Sequence, residues 1–182
     1  MEYVRLGKTN LLASRTAFGA MSLKHTGDAE TASLLIRKAY EAGINFFDTS
    51  RSKSASEQLL GDALYEVRQN VIIATKSKAA SGQELLRDLD ESLNALHCDA
   101  IDLYQYETEG FVPTAGGKDG IYQMLLTMKA SGKIKHIGAV TEDFDTASEI
   151  IKTELYETIQ FPFSMISPID TASLVGLCAE RD

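Results

Sequence analysis

A regular alternation of short apolar segments with helical segments constrains the fold of this sequence more than any other feature. Segments such as Val71-Ile72-Ile73-Ala74 are apolar at consecutive positions, which is typical of strands buried on both faces of a parallel sheet. Between them, residues such as Ala32, Leu35, Ile36 and Ala39 recur at helical spacing. The six predicted strands are Thr16–Gly19, Ile44–Asp48, Val71–Lys76, Ala100–Tyr106, Ile134–Val140 and Thr158–Pro162. Repeated strand–helix units predict an α/β protein with a parallel sheet and right-handed crossovers.

Two architectures fit this alternation: an open doubly wound sheet and a (β/α)8 barrel. The first strand leads into Phe18-Gly19-Ala20-Met21-Ser22, which is not the G-x-G-x-x-G loop of dinucleotide-binding open sheets. A small hairpin is predicted over residues 1–12, ahead of the first of these strands. In either architecture, chemistry belongs at the carboxyl ends of the strands.

The net charge of −8 argues against nucleic acid or an anionic membrane as the main partner, because either would need a basic surface. Two cysteines are too few for a disulfide framework or a zinc site, and no metal site is predicted. The sequence lacks an apolar segment of signal-peptide type at its start and a segment long enough to span a membrane. Cytoplasmic location is therefore expected.

Charged residues close several of the apolar strands, and these residues are the candidate functional groups. They are Asp48, Lys76, Glu107 and, just past Asp48, Lys53. A charge at the end of a buried strand is costly unless it is paired, so Asp48 and Lys76 are predicted to face each other across the mouth of the sheet. The alternative is an ion pair that only neutralises the strand ends.

A set of motifs in fixed order runs along the whole chain. They are Arg5–Thr9, Gly43–Thr49, Ser56-Glu57 with Leu60-Gly61, Ile73–Lys76, Asp102–Gln105, Gly132–Gly138 and Gln160–Phe163. Together they resemble the aldo-keto reductase superfamily. The later part is most similar to the branch whose members often carry a C-terminal ferredoxin-type segment, although no such cysteine cluster is present here.

The resemblance implies a (β/α)8 barrel of the TIM type that reduces carbonyls with a nicotinamide cofactor, usually NADPH. Family members use an aspartate and a lysine to lower the pKa of a tyrosine that donates the proton, and a histidine that orients the carbonyl. Asp48 and Lys76 match the first two of these groups. The tyrosine position holds Lys53 and the histidine position holds Glu107.

Tyr104 and Tyr106 alternate with Glu107 along one predicted strand, so they should face the helices and do not supply the missing phenol. Two anions and two cations keep the site formally neutral, and Lys53 and Glu107 are predicted to form a compensating pair. Three interpretations of Lys53 stay open: a lysine proton donor, an amine for Schiff-base chemistry, and a salt-bridged relic without activity.

The resemblance also implies the cofactor contacts, which are expected at Met21, Asp48, Thr141 and Gln160. Family members hold the nicotinamide carboxamide with a Ser-Asn pair after the fifth strand, where this chain has Val140 and Thr141. Gln160 matches the family's carboxamide-binding glutamine. The phosphate-binding segments of the family follow the sixth strand and would lie outside these 182 residues.

The prediction is one barrel domain over residues 1–182, truncated after the sixth strand, with about six strand–helix units. These units are the N-terminal three-quarters of a barrel, so the barrel is incomplete. Its open edges indicate either a fragment of a longer protein or self-association through those edges. The predicted function is NADPH-dependent reduction of a carbonyl, or an activated C=C bond, in a small molecule, with impaired activity. The alternative is a non-catalytic barrel that binds a small molecule or a protein partner.

Overall fold

The structure, a computed structural model that describes residues 1–181, is built around a sheet of six parallel strands preceded by a two-stranded antiparallel hairpin. The hairpin consists of β1 (Tyr3–Arg5) and β2 (Leu12–Ser14). The parallel strands are β3 (Phe18–Gly19), β4 (Phe46–Asp48), β5 (Ile72–Ser77), β6 (Ile101–Glu107), β7 (Ile134–Val140) and β8 (Thr158–Gln160). Their order in the sheet is their order in the chain, β3-β4-β5-β6-β7-β8. A doubly wound sheet reverses its strand order at a switch point, so this order identifies an incomplete (β/α)8-type barrel.

Each strand of the sheet is followed by a helix. They are α1 (Ala29–Glu41), α2 (Ser54–Leu64), α3 (Gly82–Ala95), α4 (Ile121–Ala130), α5 (Phe144–Thr153) and α6 (Thr171–Ala179). Short 3-10 helices lie at Gly7–Thr9, Ala20–His25, Arg51–Lys53 and Tyr65–Asn70. In α1, Ala32 and Ile36 are fully buried as predicted, whereas Leu35 is exposed.

All six predicted strands are present, but three of them are shorter than predicted. Before β4, the Asn45 side chain accepts a hydrogen bond from the Ser14 backbone N–H at 2.6 Å and donates to the Leu12 carbonyl at 2.9 Å, so this segment is tied to the hairpin. Pro162 has no N–H to donate to a ladder, and β8 ends before it, at Gln160. The contact with the hairpin and the missing N–H of Pro162 therefore account for two of these three shorter strands.

The two outer strands, β3 and β8, each pair with one neighbour within residues 1–181. Large apolar side chains are exposed in the segment after β8, namely Phe163, Met165, Ile166 and Ile169. Self-association through these edges stays a prediction.

Both faces of the central strands are covered. Tyr104 and Tyr106 of β6 are buried within the main apolar cluster, on the face opposite Gln105 and Glu107, as their alternation predicts. Among the described residues 1–181, no helix has the length and apolar character needed to cross a bilayer.

Candidate active site

Asp48 and Lys76 form a buried ion pair at the carboxyl ends of the neighbouring strands β4 and β5. The Lys76 ammonium donates to both Asp48 carboxylate oxygens at 2.8 Å and to the Thr49 backbone carbonyl at 2.9 Å. Asp48 and Lys76 are 8% and 3% exposed. The predicted pairing of these two residues is confirmed.

The three contacts of Lys76 limit what this lysine can do. An ammonium group has three N–H donors, and three acceptors surround the one on Lys76. A nucleophilic amine needs a lone pair directed at the substrate, whereas the Lys76 nitrogen is enclosed by three hydrogen-bond acceptors. Lys76 is therefore a fixed positive charge beside Asp48, and Schiff-base chemistry at this residue is disfavoured.

A second polar layer behind the pair was not predicted from the sequence. Thr49 follows Asp48, and its side chain is hydrogen-bonded to the Ser56 hydroxyl of α2 at 2.6 Å. Ser56 donates its one hydroxyl hydrogen to the Lys53 backbone carbonyl at 2.7 Å, so Thr49 is the donor to Ser56. This chain of hydrogen bonds joins the strand that carries Asp48 to the turn that carries Lys53.

Glu57 is the centre of the same layer and is completely buried. It accepts hydrogen bonds from Thr75 at 2.8 Å and Ser92 at 2.7 Å, and its other oxygen lies 2.7 Å from an Arg51 guanidinium nitrogen. Burial raises the pKa of Glu57, while the hydrogen bonds and Arg51 act in the opposite direction. Because Thr75 precedes Lys76, this carboxyl fixes the strand beside the ion pair. A Glu after a Ser at the start of a helix was the available sequence signal, but it does not reveal burial.

Lys53 and Glu107 do not form the predicted compensating pair. Lys53 closes the 3-10 turn Arg51–Lys53 and is exposed, and no ion pair to it occurs among residues 1–181. Glu107, at the end of β6, instead lies 3.3 Å from the Lys78 ammonium. Lys78 also contacts Glu109 at 3.0 Å, and these two carboxylates raise the pKa of Lys78. Lys78 directly follows the end of β5, whereas Lys53 lies five residues past the end of β4. Lys78 is therefore the residue that neutralises the charge of Glu107.

The two tyrosines of β6 lie outside this site, as predicted from their alternation with Glu107. The Tyr106 hydroxyl donates to the Ala79 carbonyl at 3.1 Å, and burial raises the pKa of Tyr106 to about 12. Burial raises the pKa of Tyr104 still further. Both hydroxyls lie on the helix side of the sheet, away from Asp48 and Lys76.

The four residues predicted to contact a cofactor have different degrees of access. Met21 and Gln160 are exposed at strand ends, whereas Asp48 and Thr141 are buried. The Thr141 hydroxyl accepts a hydrogen bond from the Asp143 backbone N–H at 3.1 Å, and its backbone N–H donates to the Gln160 carbonyl. Met21 follows β3 and Gln160 ends β8, which are the two outer strands of the sheet.

A cavity of about 360 Å³ lies elsewhere, lined by the Leu6–Lys8 segment, α5, β8 and Arg181. None of the predicted site residues lines it. Groups of three or more His, Cys, Asp or Glu side chains arranged to hold a metal ion are absent from the part of the chain that the structure describes, residues 1–181.

Comparison with known proteins places this geometry in context. A model of the aldo/keto reductase family matches residues 15–182. In solved structures, aldo-keto reductase AKR11C1 from Bacillus halodurans (holo form) superposes with a TM-score of 0.85 at 26% identity, covering 98% of this chain and 63% of that chain.

Curated relatives show the same partial coverage. L-galactose dehydrogenase of Arabidopsis thaliana is 32% identical, over 76% of this chain and 48% of the relative. NADH-specific methylglyoxal reductase of Escherichia coli (strain K12) is 25% identical, over 100% of this chain and 64% of the relative. The uncharacterized oxidoreductase YrpG of Bacillus subtilis (strain 168) is 29% identical, over 76% and 49%. The chain thus spans about half to two-thirds of the length of these relatives.

Proposed function

This chain belongs to the aldo/keto reductase family, and we propose that it acts as a nicotinamide-dependent oxidoreductase of low activity on a carbonyl, or an activated C=C bond, of a small molecule. The proposed reaction takes place at the carboxyl ends of β4, β5 and β6, where the charged side chains converge. The proposed location is the cytoplasm, a reducing compartment that suits the two free thiols, Cys98 and Cys178.

The observation that carries this proposal is the buried, doubly hydrogen-bonded Asp48–Lys76 pair. Burying two charges is expensive, and an apolar pair of the same volume would often stabilise the fold equally well or better. The pair lies at the strand ends where (β/α)8 enzymes place their catalytic groups. A fixed cation there favours negative charge developing on a nearby substrate oxygen.

Lys53 takes the proposed role of proton donor. Its ammonium is exposed and lies on the turn joined by Ser56 to the Asp48 strand, so it can approach a substrate oxygen at the mouth. A solvated lysine on a flexible stem is harder to orient than a phenol, which lowers the proposed rate. Glu107 accepts hydrogen bonds when ionised and does not donate one to a carbonyl, so it does not perform the orienting role of a histidine.

The proposed cofactor is NADPH, by the family resemblance, and it would supply the hydride. Gln160 and Met21 would hold its nicotinamide end, with Asp48 and Thr141 beneath them. The relative from Escherichia coli is named as NADH-specific, so NADH is tested beside NADPH.

A second candidate function, a non-catalytic barrel that binds a small molecule or a protein partner, is favoured by two specific observations. The residue at the proton-donor position, Lys53, is exposed, and Glu107 is neutralised by Lys78, a residue outside the four predicted catalytic positions. Both changes would remove activity while leaving the fold intact.

The test is a titration of the protein with NADPH and with NADH, followed by the cofactor's own fluorescence, because the chain has no tryptophan. Consumption of the bound cofactor is then measured with small aldehydes, including methylglyoxal, and with an enone. Binding with slow turnover that falls further in Lys53→Met supports the oxidoreductase. If neither cofactor binds, the non-catalytic barrel is favoured.

A further inference from the structure

Gln105 is a buried amide inside the sheet that no catalytic role explains. It lies on β6, is 3% exposed, and donates from Nε2 to Oε1 of Gln160 at 3.3 Å. Gln160, on β8, is exposed at the strand end. The two amides therefore form a short chain from the interior of the sheet to its mouth.

The directions of the two amides follow from counting donors and acceptors. The Oε1 atom of Gln105 is buried without a hydrogen-bond partner. If both amides were reversed, the Gln105 oxygen would accept from Gln160 and the Gln105 nitrogen would bring its two N–H groups to this unpartnered position. One unsatisfied carbonyl costs less than unsatisfied N–H donors, so Gln105 presents its nitrogen to Gln160.

The room for this arrangement comes from Gly138 on β7, between the two glutamine strands. A Cβ atom at this position would lie 2.9 Å from Cγ of Gln105 and would also clash with Oγ1 of Thr158. Thr158 Oγ1 is also buried without a partner. The Gln105 side chain is thus confined by packing, and a side chain confined in this way can hold the amide that it contacts.

We infer that Gln105 is a positioning residue that fixes the amide of Gln160, so that Gln160 turns its N–H donors toward a ligand at the mouth. The oxygen of Gln160 is turned toward Gln105, which leaves the two hydrogens of its Nε2 for the ligand. The group recognised is then a carbonyl-type acceptor. This inference rests on the proposed function, in which that acceptor is the carboxamide oxygen of the nicotinamide.

The first test needs no ligand and uses the full chain. Gln105→Leu keeps the approximate volume and removes the contact, and Thr158→Val serves as the matched control because its hydroxyl has no partner. The side-chain amide resonances of Gln160, measured by NMR, are expected to move in Gln105→Leu and to stay unchanged in Thr158→Val. Unchanged Gln160 resonances in Gln105→Leu would contradict the positioning role.

The second test compares two reduced dinucleotides, NADPH and its 3-acetylpyridine analogue, which keeps the carbonyl but lacks the NH₂ group. The wild-type protein and Thr158→Val are expected to bind the two with a ratio of dissociation constants near 1. Gln105→Glu presents an acceptor to Gln160, which turns the Gln160 oxygen toward the ligand. The acetyl analogue should then bind about 3- to 10-fold more weakly than NADPH, the usual effect of one neutral hydrogen bond.

The outcomes separate this inference from the proposed function. A wild-type ratio well above 1, or an unchanged ratio in Gln105→Glu, overturns the assignment of Gln160 as a donor. Absence of binding of both dinucleotides to the wild-type protein contradicts the proposed cofactor, and the NMR comparison still decides whether Gln105 orients Gln160.

Discussion

The buried and the exposed halves of the site differ in how firmly the fold holds them. Asp48 and Lys76 are enclosed, share two hydrogen bonds and are backed by the Glu57 layer. Lys53 and Glu107 lie at the mouth, where Lys53 is exposed and Glu107 has a half-exposed lysine as its ion-pair partner. The comparison shows that the buried half is constrained by the energetics of folding, whereas the exposed half is free to change without cost to the fold.

The largest expected difference between the halves is in stability. Lys76→Met leaves the Asp48 carboxylate buried without its cation and should lower the free energy of unfolding by about 3–5 kcal/mol. Lys53→Met, the matched control at the mouth, should change it by less than about 0.5 kcal/mol. Urea unfolding of the two variants measures both values. Equal losses in the two variants would remove the distinction on which the comparison rests.

The stability of the protein should depend on pH through Glu57, which lies behind the buried half of the site. Burial raises the pKa of Glu57 in the folded protein, so the folded state binds this proton more tightly than the unfolded state. Its contribution to stability is therefore complete below the ordinary value of 4.5 and is lost as the pH rises through the folded pKa. A tenfold difference in proton affinity between the folded and unfolded states corresponds to about 1.4 kcal/mol of stability.

Glu57→Gln should remove this dependence. The stability of the wild-type protein relative to Glu57→Gln should be greater at pH 4 than at pH 8, as measured by urea unfolding at each pH. A difference that is constant across this range would mean that Glu57 keeps its ordinary pKa in the folded protein.

The Glu107–Lys78 contact at the mouth should contribute much less. Its partners are partly exposed and 3.3 Å apart, which places the expected coupling at about 0.2–1 kcal/mol. A double-mutant cycle with Glu107→Gln and Lys78→Met measures this coupling, and it should decrease in high salt. A coupling of several kcal/mol would assign Glu107 to the buried half.

The smallest effect is expected for Lys53 with Glu107, the pair predicted from the sequence. The structure pairs Glu107 with Lys78 instead, so a cycle between Lys53→Met and Glu107→Gln should give a coupling near zero. A coupling above that of the Glu107–Lys78 pair would restore the sequence-based hypothesis.

The sequence predicted those features that depend on local pattern and strand order. Alternation along β6 placed Tyr104 and Tyr106 on the helix face, and the cost of burying charge predicted the Asp48–Lys76 pair. The Lys78–Glu107 contact was missed because side-chain reach at a loop decides which of several lysines is nearest. Glu57 and Gln105 were missed because their burial depends on how α2, α3 and β8 pack around them, which spacing along one segment does not contain.

The central proposal is that Asp48 and Lys76 are the retained part of an aldo/keto reductase site, while Lys53 and Glu107 limit the reaction. The most direct test introduces the residues that the family resemblance predicts at these two positions, in the double variant Lys53→Tyr/Glu107→His, and measures the single-turnover rate of cofactor oxidation with small aldehydes. A positioned proton donor contributes about 10²–10⁴-fold, so the variant should exceed the wild-type rate by at least about 10²-fold, and the triple variant that adds Lys76→Met should lose this gain. A double variant that folds and binds the cofactor but reacts no faster than the wild-type protein would contradict the claim.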